Sequence, residues 1–92
     1  MDDMKKKDET GIRKAYVEVL ADFTADGRMF PLMIIWEDGR RYRIEEVCDC
    51  RRAASLKAGG TGLRYTCRIS GANHYLFYEE NNRWFVEAKM QS

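Results

Sequence analysis

The chain has 92 residues, a formal net charge of +1, 45% hydrophobic and 34% charged residues, and two Trp, five Tyr and four Phe. A chain of that length makes one domain that buries about 60% of its unfolded surface, and its near-neutral charge excludes a global field drawing it to nucleic acid or to an anionic membrane. The aromatic content and the single Pro exclude a disordered tail protein, and no apolar run approaches the ~20 residues that a membrane helix needs.

Residues 1–12 are charged and featureless and are expected to form a flexible tail, leaving 13–92 as a single small β domain. The opening Met1-Asp2-Asp3-Met4-Lys5-Lys6-Lys7-Asp8 has no apolar core of a secretory signal, and three Cys is an odd count. Both features predict reduced thiols in a cytoplasm. Tyr16–Thr24 reads as a strand with Val17, Val19, Ala21 and Phe23 on one side, followed by the turn signal Ala25-Asp26-Gly27. Pro31 stands where a strand begins or runs along an edge. Leu32–Glu37 and Arg40–Val47 are the next two strands, and Cys48–Gly62 is a connection with one helical turn around Arg51–Lys57. Leu63–Ser70 alternates most clearly, with Leu63, Tyr65, Cys67 and Ile69 against Arg64, Thr66, Arg68 and Ser70. His74–Glu79 and Arg83–Met90 complete a hairpin around Asn81-Asn82. The expectation is an all-β, partly closed barrel of five or six antiparallel strands.

Two hairpins decide which residues face inward. At Asp38-Gly39, a two-residue turn pairs Glu37 with Arg40. A type I turn with Gly39 as the bulge residue pairs Trp36 with Arg40 instead and groups Leu32, Ile34 and Trp36 with Tyr42 and Ile44. The bulge is preferred because it buries Trp36 and more apolar surface, leaving Met33 and Ile35 outside with Arg41 and Arg43. A turn at Asn81-Asn82 pairs Phe77 with Val86 and Tyr78 with Phe85. Tyr75, Phe77, Trp84, Val86 and Ala88 then point inward, with Leu76, Tyr78 and Phe85 outward. A slip of one residue reverses either assignment.

The chemistry-bearing clusters mostly have simpler readings. Cys48-Asp49-Cys50, Cys67 and His74 contain zinc-binding residue types, but one intervening residue is too few for a zinc knuckle, and Cys67 lies on the apolar phase of its strand. Lys57-Ala58-Gly59-Gly60-Thr61-Gly62 lacks P-loop spacing and precedes a strand, while Asp22–Gly27 lacks the alternation of a calcium loop. The adjacent pairs Glu45-Glu46 and Glu79-Glu80 point to opposite faces of their strands and make no acid/base couple. A Cys67–His74 dyad has no orienting group or oxyanion motif beside it. Neither a metal, a cofactor nor catalysis is expected.

Trp36-Glu37-Asp38-Gly39-Arg40-Arg41-Tyr42-Arg43-Ile44, Val47, Gly59-Gly60, Arg64-Tyr65, Leu76-Phe77 and Trp84-Phe85-Val86 together resemble small uncharacterised bacterial proteins with an SH3-like barrel. The resemblance runs from about Tyr16 to Met90. It implies an SH3-like fold and no catalytic residue, since these are turn and core signatures.

The leading functional expectation is a non-catalytic interaction module. Its outer apolar face would meet another protein or a second copy of the chain, with Met33, Ile35, Leu76 and Phe85 as the self-association residues. The alternative is a single-stranded nucleic-acid binder that uses Arg64, Arg68, His74, Tyr78 and Phe85, with Arg41 and Arg43 adding charge. No membrane partner is expected.

Overall fold

A computed structural model describes residues 11–53 and 62–89. Within them lie β1 (Ile12–Phe23), β2 (Met29–Ile35), β3 (Arg41–Arg43), β4 (Glu46–Arg52), β5 (Gly62–Ile69), β6 (Ala72–Glu79) and β7 (Trp84–Lys89). They form one antiparallel sheet in the order β3-β2-β1-β7-β6-β5-β4. The sheet curls into a half-barrel. Ile44 and Glu45 show how: the Ile44 amide donates to the Leu32 carbonyl of β2 at 2.9 Å, and the next amide, of Glu45, donates to Arg68 of β5 at 2.8 Å. Adjacent residues thus bond to strands from opposite halves of the sheet.

The all-β expectation holds, with seven strands described where five or six were expected. The extra strand is β4. Cys48–Arg52, expected in a connection, pairs with β5. Its alternation is hidden by a bulge between Val47 and Asp49 and by charged residues that face outward. The helical turn expected around 51–57 meets strand at Arg51 and Arg52, and the rest of it lies outside the described residues. So do residues 1–10 of the tail expected over 1–12, whose last residue, Ile12, is instead in β1, and the glycine-rich stretch up to Thr61. The start of β1 at Ile12 precedes the expected Tyr16.

At Asp38-Gly39 the preferred bulge is what forms. The Trp36 amide donates to Arg40, the Gly39 amide donates to Trp36, both at 2.8 Å, and Gly39 has a φ of 88°. Such a left-handed residue is cheap only for glycine. Ile34 is consequently paired with Tyr42 and buried. Leu32 departs from its expected inward group. Leu20 pairs with Met33 and Ala21 with Pro31, so Leu32 is an extra residue on β2, turned outward and 51% exposed. Phe23, expected on one side of its strand with Val17, Val19 and Ala21, is 73% exposed at the end of β1.

The last hairpin is shifted by one residue from its expected register. Phe77 pairs with Phe85 and Tyr78 with Trp84. The turn runs from Glu79 to Arg83, with the Glu79 amide on the Arg83 carbonyl at 2.7 Å and Asn82 at a φ of 67°. Asn82 takes the left-handed place that Gly39 holds in the earlier turn, because asparagine tolerates that region better than most residues. Both faces of β6 are therefore reversed. Leu76 and Tyr78 point inward, while Tyr75 and Phe77 point outward.

The core consists of Ile34, Ile44, Tyr65, Cys67 and Leu76, with Val17, Val19, Leu63, Tyr78, Trp84 and Val86 packed around it. The Tyr65 hydroxyl donates to the Met29 carbonyl at 2.8 Å, tying β5 to β2, which share no ladder. That bond satisfies a phenol that would otherwise be buried without a partner.

Candidate functional site

Of the residues singled out in the sequence, Met33, Ile35, Arg41 and Arg43 come together. Met33 pairs directly with Arg43 and Ile35 with Arg41, all on the face of β2–β3 opposite Ile34. On the other flank, Leu20 of β1 pairs with Met33 and Glu18 with Ile35. Leu20 is 47% exposed and Met33 and Ile35 are half-buried, so an apolar strip runs between two arginines and one glutamate. The arginines are unusual within this chain. Arg13, Arg28, Arg40, Arg51, Arg52 and Arg68 reach carboxylates, and Arg64 and Arg83 lie over tyrosine rings. Arg41 and Arg43 do neither among the described residues.

The remaining predicted residues disperse. Leu76 is 1% exposed in the core, and Phe85, although on the outer side of β7, is 2% exposed. Phe85 stacks on Phe77 with ring centroids 4.9 Å apart and lies beneath the Lys14 ammonium at 4.8 Å. Neither presents a surface for self-association. Arg64 and Arg68 do share the outer face of β5. Tyr78 points inward against Trp84, and His74, opposite Cys67, is on the inward phase as well. The reversed register of β6 accounts for both displacements.

A second feature on the outer face is a row of aromatic rings, Tyr16–Phe85–Phe77–Tyr75, each in contact with the next. Arg83 lies 3.5 Å from the Tyr16 ring centre and Arg64 4.4 Å from that of Tyr75. Both exposed tyrosines thus already carry a guanidinium. Lys14 bridges to Glu79 at 2.7 Å, and the Tyr16 hydroxyl donates to the same carboxylate at 3.0 Å. The hydrogen bond from Lys14 holds the Glu79 carboxyl below its ordinary range and raises the lysine in turn.

The thiols separate into two kinds. Cys48 and Cys50 are exposed, whereas Cys67 is fully buried. Loss of solvation, helped by the neighbouring Cys48 and Cys50, pushes the Cys67 thiol up to about 12. The His74 partner required by a dyad is adjacent in register, but a thiol held protonated is a poor nucleophile. Among the described residues, no three His, Cys, Asp or Glu side chains converge on a possible metal position. A raised Cys67 makes its stabilising contribution wherever the thiol is protonated in both states. That contribution is complete below the ordinary value of 9.0 and is lost as pH climbs toward about 12. Denaturation midpoints are therefore expected to fall over that alkaline window, and to fall less in Cys67→Ala. An aromatic disulfide reagent at neutral pH should titrate Cys48 and Cys50 promptly and Cys67 only once the chain is unfolded.

A cavity of about 470 Å³ opens at one end of the half-barrel, with Ile34, Trp36, Tyr42, Ile69, His74 and Val86 among its walls. It lies beside a split in the sheet. The β6–β7 ladder has only two residue pairs, next to their shared turn, although β6 continues back to Ala72 and β7 onward to Lys89. Sequence reasoning missed this opening, because period-two alternation shows which residues are strand but not where two strands part.

Comparison with known proteins returned no matching family model, no significant match among curated proteins and none among solved structures.

Proposed function

We propose that this chain is a non-catalytic protein-interaction module built on an SH3-like barrel, docking an acidic, partly apolar segment of another protein on the outer face of β1–β2–β3. The observation that carries this reading is the pairing of Met33 with Arg43 and Ile35 with Arg41 beside exposed Leu20, where both guanidinium groups lack a carboxylate among the described residues. An apolar strip bordered by uncommitted cations favours a partner that brings its own carboxylates. A second copy fits this face less well. A two-fold contact sets a patch against itself, which would bring Arg41 and Arg43 close to their own duplicates.

Selecting binders from a random peptide display library against the full chain tests the reading. Peptides that combine acidic and apolar residues should be enriched, and Arg41→Glu/Arg43→Glu should weaken them at least tenfold, about 1.4 kcal/mol. These exposed positions should leave the thermal midpoint nearly unchanged. Enriched peptides that bind the double variant as tightly as the parent would refute the assignment of this face.

A single-stranded nucleic-acid reading draws on Arg64 and Arg68, which share one outer face, and on Tyr75, which is 48% exposed. It is the weaker reading. Arg64 already occupies the Tyr75 ring, and His74 and Tyr78 face the other way. Binding of labelled single-stranded DNA or RNA that falls steeply with salt would restore it.

A further inference from the structure

We propose that the split between β6 and β7 is a second docking site, one that takes an extended peptide as an added strand along β6, with a large apolar side chain of that peptide seated in the cavity beneath. The inference does not depend on the β1–β2–β3 face.

The backbone comes first. The Glu79 amide is directed to the β7 side, where it donates to the carbonyl of Arg83, the residue just before β7. Antiparallel strands alternate the direction of successive residues' backbone groups, so Phe77, Tyr75 and Asn73 aim theirs the same way. Phe77 meets Phe85 of β7, but the ladder has no described pair for Tyr75 or Asn73. On the opposite edge, β6 is paired with β5 all the way from Ala72 to Glu79. One side of the strand is thus fully used, and among the described residues the other is open over its first half. Open strand edges are templates for pairing with a further chain.

The cavity gives the added strand a register. His74 and Leu76 are on the inward phase of β6, so inward side chains of a strand laid beside them enter the space walled by Ile34, Trp36, Tyr42 and Val86. Its volume of about 470 Å³ falls within the roughly 300–1,000 Å³ usual for ligand pockets.

Charge gives the outward side chains their sign. The outer side of the split is bordered by Arg64 and Arg68 of β5, Lys14 of β1 and Lys89 of β7, against Glu87 of β7. Lys14 and Arg68 are matched by Glu79 and Glu46. Among the described residues Arg64 faces the Tyr75 ring and no carboxylate, and its Nε is buried without a hydrogen-bond partner there. The surplus is positive, which favours a strand whose outward residues are acidic.

The test uses the full chain and a synthetic probe: an acetylated, amidated heptapeptide alternating aspartate with valine around a central phenylalanine. Saturable binding is expected, with amide exchange at Asn73 and Tyr75 slowed at least tenfold. The same peptide N-methylated on the edge that meets β6 should bind at least tenfold more weakly, and a lysine-for-aspartate version at least fivefold more weakly. Tyr75→Pro should also weaken binding, since it removes a donor that points away from the β5 ladder. If that variant misfolds, the N-methylated peptide still decides the matter. The absence of saturation at millimolar probe, equal affinity for the N-methylated or lysine peptide, or protection elsewhere than on β6 would each overturn the proposal. Arg41→Glu/Arg43→Glu should leave binding of this probe unchanged, so that this proposal and the preceding one fail separately.

Discussion

Leu76→Ala is expected to destabilise the domain by about 2–5 kcal/mol, whereas Tyr75→Ala, one residue away, should cost about 1 kcal/mol or less. Leu76 is 1% exposed among Ile34, Ile44, Tyr65 and Cys67, so its removal leaves a cavity in the core inside the half-barrel. Tyr75 is 48% exposed and loses mainly its contacts with Arg64 and Phe77. A domain of this size has about 5–10 kcal/mol to lose in total, so the alanine at 76 should be visible at once in urea or thermal denaturation. The comparison also tests the register of β6. If Tyr75→Ala were the costly substitution, the two faces of β6 would be the other way round.

Gly62→Ala should cost roughly 2–4 kcal/mol for a steric reason. A Cβ built on Gly62 lies 2.0 Å from the Tyr78 carbonyl oxygen and 3.0 Å from its carbon, and the residue has a φ of 154°. The obstacle is backbone, which cannot swing aside like a long side chain. Either β5 or β6 must move, putting at risk the pairing of Gly62 with Glu79 and the bond from the Ala53 amide to the Gly62 carbonyl at 3.0 Å. Gly39→Ala is the control. Its φ of 88° is equally unsuited to alanine, but nothing lies within 4 Å of the added carbon, so only the conformational cost of about 1 kcal/mol remains. Equal losses in the two variants would remove the steric account of Gly62.

Much of the fold was legible where side chains alternate and turns carry glycine. Leu63–Ile69 is the plainest case, since every second residue is apolar, and the Asp38-Gly39 turn was readable because glycine marks the left-handed position. The Asn81-Asn82 turn has the same geometry, but two asparagines leave open which of them takes the positive φ, and that uncertainty was enough to place Leu76 outside. Bulges at Leu32 and between Val47 and Asp49 break the period of two, hiding one side-chain reversal and most of a strand. Of the candidate surface, Met33, Ile35, Arg41 and Arg43 were found together because they depend on the turn that was read correctly. The opening between β6 and β7 follows from how two halves of the sheet diverge in space, and local pattern contains no record of that.

The position of β1 has a consequence for how the chain is made. β1 lies between β2, its neighbour in sequence, and β7, whose Lys89 pairs with Ile12. While the protein is being synthesised, the β1–β2 hairpin can close early, but the other edge of β1 waits until β7, the last strand described, has left the ribosome. Until then it offers unpaired amides and carbonyls to any neighbouring nascent chain. Folding must also bring β1 and β7 together across the five strands that lie between them in sequence, a non-local pairing of the kind that slows folding even in a small domain.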